Sequence, residues 1–298
     1  MNLPSTNVLI QVTIVGLLTG GVYALMAAGL TLIFGVMRVI NIAHGAFLVF
    51  SAYLSYWLFA SYGLDPFLSV IVTVPLLFVF GILFQHYVFA RVRNEPGLTV
   101  LLTFSLAITL EGLMGVLWQT TGRSVRTWYT GAVWQVELAD LTLRLPVVRV
   151  AGFVAAIIAL FLLYLLITRT DLGRAIRATV QNKDAAQLVG VNIAWVQALT
   201  FGIGLATVAA GGALFSLIWT FNSSDHEEWI SKLLSIIVLG GMGSLPGALI
   251  AALIMGVAEA VAAVAMTSYL SPIVFYLILF ITLILRPQGL MGTVIRKE

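Results

Sequence analysis

Cysteine is absent from this chain, which removes disulfides, thiolate nucleophiles and cysteine-ligated metals from consideration. Charge is scarce as well: 9% of the 298 residues are Asp, Glu, Lys or Arg, against about a quarter in a water-soluble globular domain. The three histidines, His44, His86 and His226, lie in separate segments without ligand-like spacing, so no metal site is expected. A GxxxxGK[ST] phosphate loop is missing, and the chain cannot split nucleotide by that route. Ser-His-Asp sets can be assembled only by ignoring the order of the apolar segments. No basic patch is interleaved with stacking aromatics, so nucleic acid is not an expected partner. This reading expects no catalytic residue, no metal and no cofactor bound by the chain itself, and therefore no enzyme.

What fills the chain is apolar. Hydrophobic residues make up 61% of it, and the mean hydropathy is +1.08. Apolar runs of about 18 residues or more recur along its length, each able to cross a hydrocarbon core of roughly 30 Å as a helix. The pattern never stops, unlike a lone N-terminal signal peptide, and it lacks the short alternating strands of a barrel. Breaks at Pro, Gly and charge predict spans near 8–36, 44–61, 66–90, 98–119, 150–168, 196–220, 230–243, 246–267 and 270–286. The first is too long for one straight crossing and the seventh too short. The expected fold is an all-α polytopic integral membrane protein of about eight to ten helices, including broken segments, with nine crossings and residues 1–298 as one transmembrane domain.

Basic residues set the expected orientation. Arg91 and Arg93, then Arg169, Arg174, Arg177 and Lys183, then Arg286, Arg296 and Lys297 make nine on one side of a nine-crossing chain. Asp65, Glu137, Asp140, Asp225, Glu227 and Glu228 collect on the other. The first side is read as cytoplasmic, with the C-terminus inside and the N-terminus outside. The outer loop at 120–149 carries Arg123, Arg126, Arg144 and Arg149 against this trend. Within it, 134–146 alternates apolar and polar residues around Ala139-Asp140, which predicts a small β-hairpin.

Two stretches interrupt the apolar pattern. Residues 30–46 bring Arg38, Asn41 and His44 to membrane depth between Gly35 and Gly45, where polar groups face a protein interior or a wet cavity. Leu239-Gly-Gly-Met-Gly-Ser-Leu-Pro-Gly247, with Gly241 and Gly243 at its centre, interrupts a later apolar region. Paired interruptions in two halves point to a transport site; two tight turns between adjacent helices would read the same way. Glu111 and Glu259 sit inside apolar segments and should face the bundle interior, either tying helices together or lining a pathway. The small residues of 202–213 predict close helix packing.

The polar exception is the stretch from Arg169 to Trp195. Its run Arg174–Val189 has no proline and alternates alanine and leucine with Arg174, Arg177, Lys183 and Asp184, predicting one short amphipathic helix that stops near Gly190. Asp184-Ala185-Ala186-Gln-Leu-Val-Gly190 resembles the EAA-type loop of ABC importer permeases, with Asp for the usual Glu. Residues 23–35 followed by Ile40-Asn-Ile-Ala-His-Gly45 resemble the N-terminal signature of the branched-chain amino-acid permease family. Residues 239–248, Glu259 and Leu285-Arg-Pro-Gln-Gly-Leu290 resemble its C-terminal signatures, so the likeness covers nearly the whole chain in order. It is nearest to the shorter, H-type subunit.

The resemblance implies a permease of the bacterial inner membrane, forming half of a translocation pathway with a second, M-type permease in contact with membrane lipid. It further implies two cytosolic ATPase subunits, which use ATP and Mg, and a periplasmic substrate-binding protein that docks on outer loops including 120–149. The coupling loop at about 169–195 would seat on an ATPase through Arg174, Arg177, Asp184, Ala185, Ala186 and Gly190. Asn41, His44, Glu111, Gly241, Gly243 and Glu259 are the pathway candidates. Branched-chain or other hydrophobic amino acids are the expected cargo, with urea, short amides or aromatic acids as the family's alternatives. An ion-coupled secondary transporter using Glu111, Glu259 and His44 as a relay, or a passive channel, would need no coupling loop.

Overall fold

A computed structural model describes residues 6–92, 95–138, 141–266 and 270–292. Twelve α-helices run in the order α1 (Thr6–Met37), α2 (Ala43–Tyr62), α3 (Pro66–Phe84), α4 (Ala90–Val92), α5 (Pro96–Trp118), α6 (Val147–Arg169), α7 (Asp171–Gln181), α8 (Lys183–Leu188), α9 (Ile193–Ile218), α10 (His226–Gly240), α11 (Leu245–Ala265) and α12 (Ile273–Leu285). A π turn at Gln85–Phe89 joins α3 to α4. Seven of these segments are long and apolar enough to cross a membrane. At 15 and 13 residues, α10 and α12 reach about 20 Å, short of a full hydrocarbon core. Each of the nine apolar windows read from the sequence therefore carries a helix, and seven of the nine are full-length.

The hairpin also forms. Strand β1 (Val133–Leu138) pairs antiparallel with β2 (Leu141–Pro146), with Trp134 opposite Leu145 and Val136 opposite Leu143. Its turn, Ala139-Asp140, lies outside the described residues, as do Arg93, Arg296 and Lys297.

Helix starts follow local chemistry. Asp65 accepts from Phe67 N at 2.9 Å ahead of Pro66, and Ser244 accepts from Gly247 N at 3.2 Å ahead of Pro246. A small polar cap followed by proline satisfies or removes amides that a helix cannot pair itself.

The longest helix corrects an expectation. Residues 30–37 do not break: α1 is one proline-free helix of 32 residues, about 48 Å long. It runs from the hairpin end, where Gln11 bonds the Arg144 backbone at 2.8 Å, to the end carrying α7 and α8. The interruption is confined to 38–42, opened by Arg38 at φ 55°. The chain then turns back inward, and α2 starts inside the protein, with His44 Nε2 3.1 Å from the Met26 carbonyl.

Close approach of backbones holds α1 in place. Gly16 and Gly20 lie against Gly256 and Ala252 of α11, while Gly35 meets Gly243 beyond that helix's other end, so the pair is antiparallel. Gly29 lies against Gly204 of α9, and Gly202 of α9 against Gly81 and Phe78 of α3. The small residues of 202–213 thus serve packing, as their spacing predicts. Tyr23, Phe47, Tyr53, Phe201, Phe215, Phe221 and Phe275 fill the core.

Candidate functional site

The polar element at one end is two helices where the sequence predicts one. Thr170 opens α7 by accepting from Gly173 N at 3.0 Å while donating to Leu166 O at 2.5 Å. Arg177 donates to the Ile167 carbonyl, placing a cation at the negative end of α6. Arg174 pairs with Asp171 one turn before it. At Asn182 the helix stops, because the amide oxygen accepts from Ala185 N at 2.9 Å and caps α8 instead. A short polar side chain competes with the helix for backbone bonds and wins here.

This element is anchored by Ile176 and Ala186, both buried. Ile176 joins Leu32 and Val36 of α1, Leu163 and Ile167 of α6 and Val196 of α9 in one apolar cluster. Beyond that anchor it faces outward. Asp184 and Ala185 are exposed, and Leu188 and Val189, on an otherwise polar element, are 88% and 80% exposed. Gly190 follows at φ 88° with open space around it, so the backbone turn rather than crowding requires glycine there. Asn192 then caps α9, accepting from Trp195 N at 3.1 Å. A cleft of about 390 Å³ separates the end of α1, at Gly35–Arg38, from Thr179–Asp184 and Gln197.

The pathway candidates are dispersed. Asn41 and His44 are buried at the inner start of α2, and neither amide atom of Asn41 has a hydrogen-bond partner among the described residues. Gly241 and Gly243, at φ 98° and 88°, form the tight turn between α10 and α11. That turn packs against Gly35 and against Gly289 and Gly292. It is a junction between adjacent helices at the end that carries α7 and α8, which is the tight-turn reading its glycines allowed. Gly243 meets Gly35, which in turn lies against Val180 of α7.

Glu259 is a tie between helices. Its Oε2 accepts from Tyr23 Oη at 2.5 Å, and its Oε1 lies 3.1 Å from Lys232 Nζ. Lys232 also pairs with Glu228 at 2.8 Å and sits over the rings of Trp229 and Phe275, 4.8 and 5.5 Å from their centroids. Three helices, α1, α10 and α11, are thereby joined through the Glu259 carboxylate. Arg149, in the first turn of α6, donates to Thr19 Oγ1 at 2.7 Å. Glu111 pairs with His226, Oε2 to Nε2 at 3.0 Å. Sequence reasoning gave Tyr23 and Lys232 no chemical role and left His226 and Glu228 outside the bundle. The one available signal was the i, i+4 spacing of Glu228 and Lys232.

Outside the spans, Tyr129 Oη donates to Asp65 Oδ2 at 2.6 Å and packs on Phe67. Burial, and then the hydrogen bond to Asp65, push the Tyr129 phenol above its ordinary range.

Apolar helices around buried ion pairs, with a polar two-helix element presented at one end, define a multi-pass membrane transport subunit. The family described as branched-chain amino acid transport system / permease component matches residues 12–285, and the chain belongs to it. It is 28% identical over 291 residues to the high-affinity branched-chain amino acid transport system permease protein LivH of Salmonella typhimurium, covering 93% of each chain. It is 29% identical over 297 residues to BraD of Pseudomonas aeruginosa, a permease protein of the same description, covering 95% of each. The ribose import permease protein RbsC of Bacillus subtilis is 25% identical over 258 residues, covering 84% of this chain and 74% of that one. End-to-end similarity to LivH agrees with the resemblance to an H-type subunit.

Proposed function

We propose that this chain forms half of the membrane pathway of an ATP-driven importer for branched-chain or other hydrophobic amino acids, in the bacterial inner membrane. A second permease, two cytosolic ATPases and a periplasmic binding protein complete the assembly. ATP and Mg act on the ATPases, and the permease transmits their motion. The α7–α8 end is cytoplasmic in this reading, because Arg91, Arg169, Arg174, Arg177, Lys183 and Arg286 gather there. The hairpin end receives the binding protein.

One observation carries the coupling role: α7 is pinned to α1, α6 and α9 by Ile176 and α8 buries Ala186, yet Leu188 and Val189 are held out to solvent. A rigid mount with an unpartnered apolar tip is built to be gripped by a soluble partner. The test is the assembled importer in proteoliposomes carrying Gly190→Val, which strains the φ 88° turn. ATP hydrolysis is expected to continue while leucine uptake falls at least tenfold. Unchanged uptake per ATP would remove the coupling role, and binding measurements on the cognate binding protein decide the cargo.

A further inference from the structure

Glu111 is a partly exposed acid within a membrane-length helix. It lies on α5, seven residues before Trp118 and so about 10 Å in from the hairpin end. His226 holds one carboxylate oxygen at 3.0 Å, and the histidine side chain is itself only 4% exposed. The Glu111 side chain remains 32% exposed on the outside of the chain. Its Oε1 accepts no hydrogen bond among the described residues. An ionisable group at this depth faces a protein interior or a wet cavity, not hydrocarbon.

The rest of the α5 surface is mixed: Leu101, Phe104, Leu113 and Val116 are exposed on it, and so are two hydroxyls that bond the carbonyls of their own helix. Ser105, Thr109 and Gly112 are exposed in the middle of this helix, beside Ile108. By contrast α3 exposes Ile71, Val72 and Leu76 at comparable positions, and α6 exposes Ile157, Ile158 and Leu162. Those two faces are fit for lipid. Among the described candidate spans, α5 alone shows hydroxyls and a glycine to the outside at mid-length. A Cβ at Gly112 would meet nothing, so the glycine is not needed for packing within this chain.

We propose that the outer face of α5 lines the aqueous path between this chain and the second permease, where Glu111, oriented by His226, receives the ammonium group of the passing amino acid. The pairing follows from charge: a carboxylate with one free oxygen complements a cationic head, while Ile108 and Phe104 beside it suit an apolar side chain. This rests on the importer reading above and adds to it a point of substrate contact.

The absence of cysteine makes the test direct. Ile108→Cys, one turn from Glu111 on the same face, and Ile157→Cys are built singly into the assembled importer in proteoliposomes and exposed to a charged thiol reagent, with labelled peptides read by mass spectrometry. Modification of I108C at least tenfold faster than I157C is expected; equal rates overturn the proposal. Glu111→Gln is expected to lower ATP-driven leucine uptake at least tenfold while ATP hydrolysis stimulated by the binding protein persists, which shows that the variant has assembled. Glu111→Asp should recover part of the uptake. Wild-type uptake by E111Q overturns the ammonium role. If the wild-type assembly imports no leucine under ATP, the importer reading fails instead, and the labelling rates still decide whether α5 faces water.

Discussion

Lys232 and Glu259 meet at 3.1 Å across the α10–α11 junction, and the lysine side chain is only 7% exposed. Glu259→Ala leaves that ammonium inside the protein with Glu228, 46% exposed, as its remaining partner. Breaking a buried pair by removing one member costs about 3–5 kcal/mol, and replacing both members with apolar side chains costs far less. E259A is expected to sit near the low end of that range because Glu228 remains. The K232M/E259M double variant should recover most of the loss, as read from thermal midpoints in nanodiscs.

Leu188 is expected to be an anchor for the soluble partner. Covering a leucine contributes about 1.5–3 kcal/mol, so Leu188→Asp should weaken association with the ATPase about tenfold or more. Leu188 is 88% exposed in the isolated chain, so the folding of the permease itself should not change. Co-purification of the ATPase, alongside the thermal midpoint of the permease, checks both halves of this expectation.

The Tyr129–Asp65 bond gives a pH signature at the hairpin end. A phenol raised on folding contributes stability that is complete below its unfolded value, near 10, and is lost as pH rises through the higher folded value. Tyr129→Phe should lower stability at neutral pH by about 1 kcal/mol. It should also remove the extra decline that the wild type shows above about pH 10. Melting curves across that range test it.

Gly29 tests the packing of α1 on α9. A Cβ there would strike Thr207 Oγ1 and the Gly204 carbonyl, neither of which has room to retreat. Gly29→Ala is expected to destabilise by about 1–3 kcal/mol through overpacking, with Gly29→Val worse. Gly97→Ala, with nothing near its Cβ, is the neutral control.

Much of the architecture was legible because lipid imposes a simple requirement. Each helix must hide its backbone and show an apolar surface, so the nine apolar windows correspond to nine helices. The hairpin was legible from strict alternation at Val133–Leu138 and Leu141–Pro146. The break at Asn182 was not, because alanine-rich composition permits a helix that one capping amide ends. Nor was the partner of Glu259: Lys232 is 27 residues away, and only folding brings α10 alongside α11. Arg149 appeared to be a loop residue because its depth depends on Thr19, on a helix remote in sequence.

The unbroken α1 has a mechanical consequence. Its last turns share an apolar cluster with Ile176 of α7, its middle holds Glu259 through Tyr23, and its first turns touch the strand leading into α6. With no proline and no interruption along its 32 residues, it lacks the usual joints at which a push could be absorbed. Force applied to the polar element travels along one stiff strut to the opposite face of the molecule.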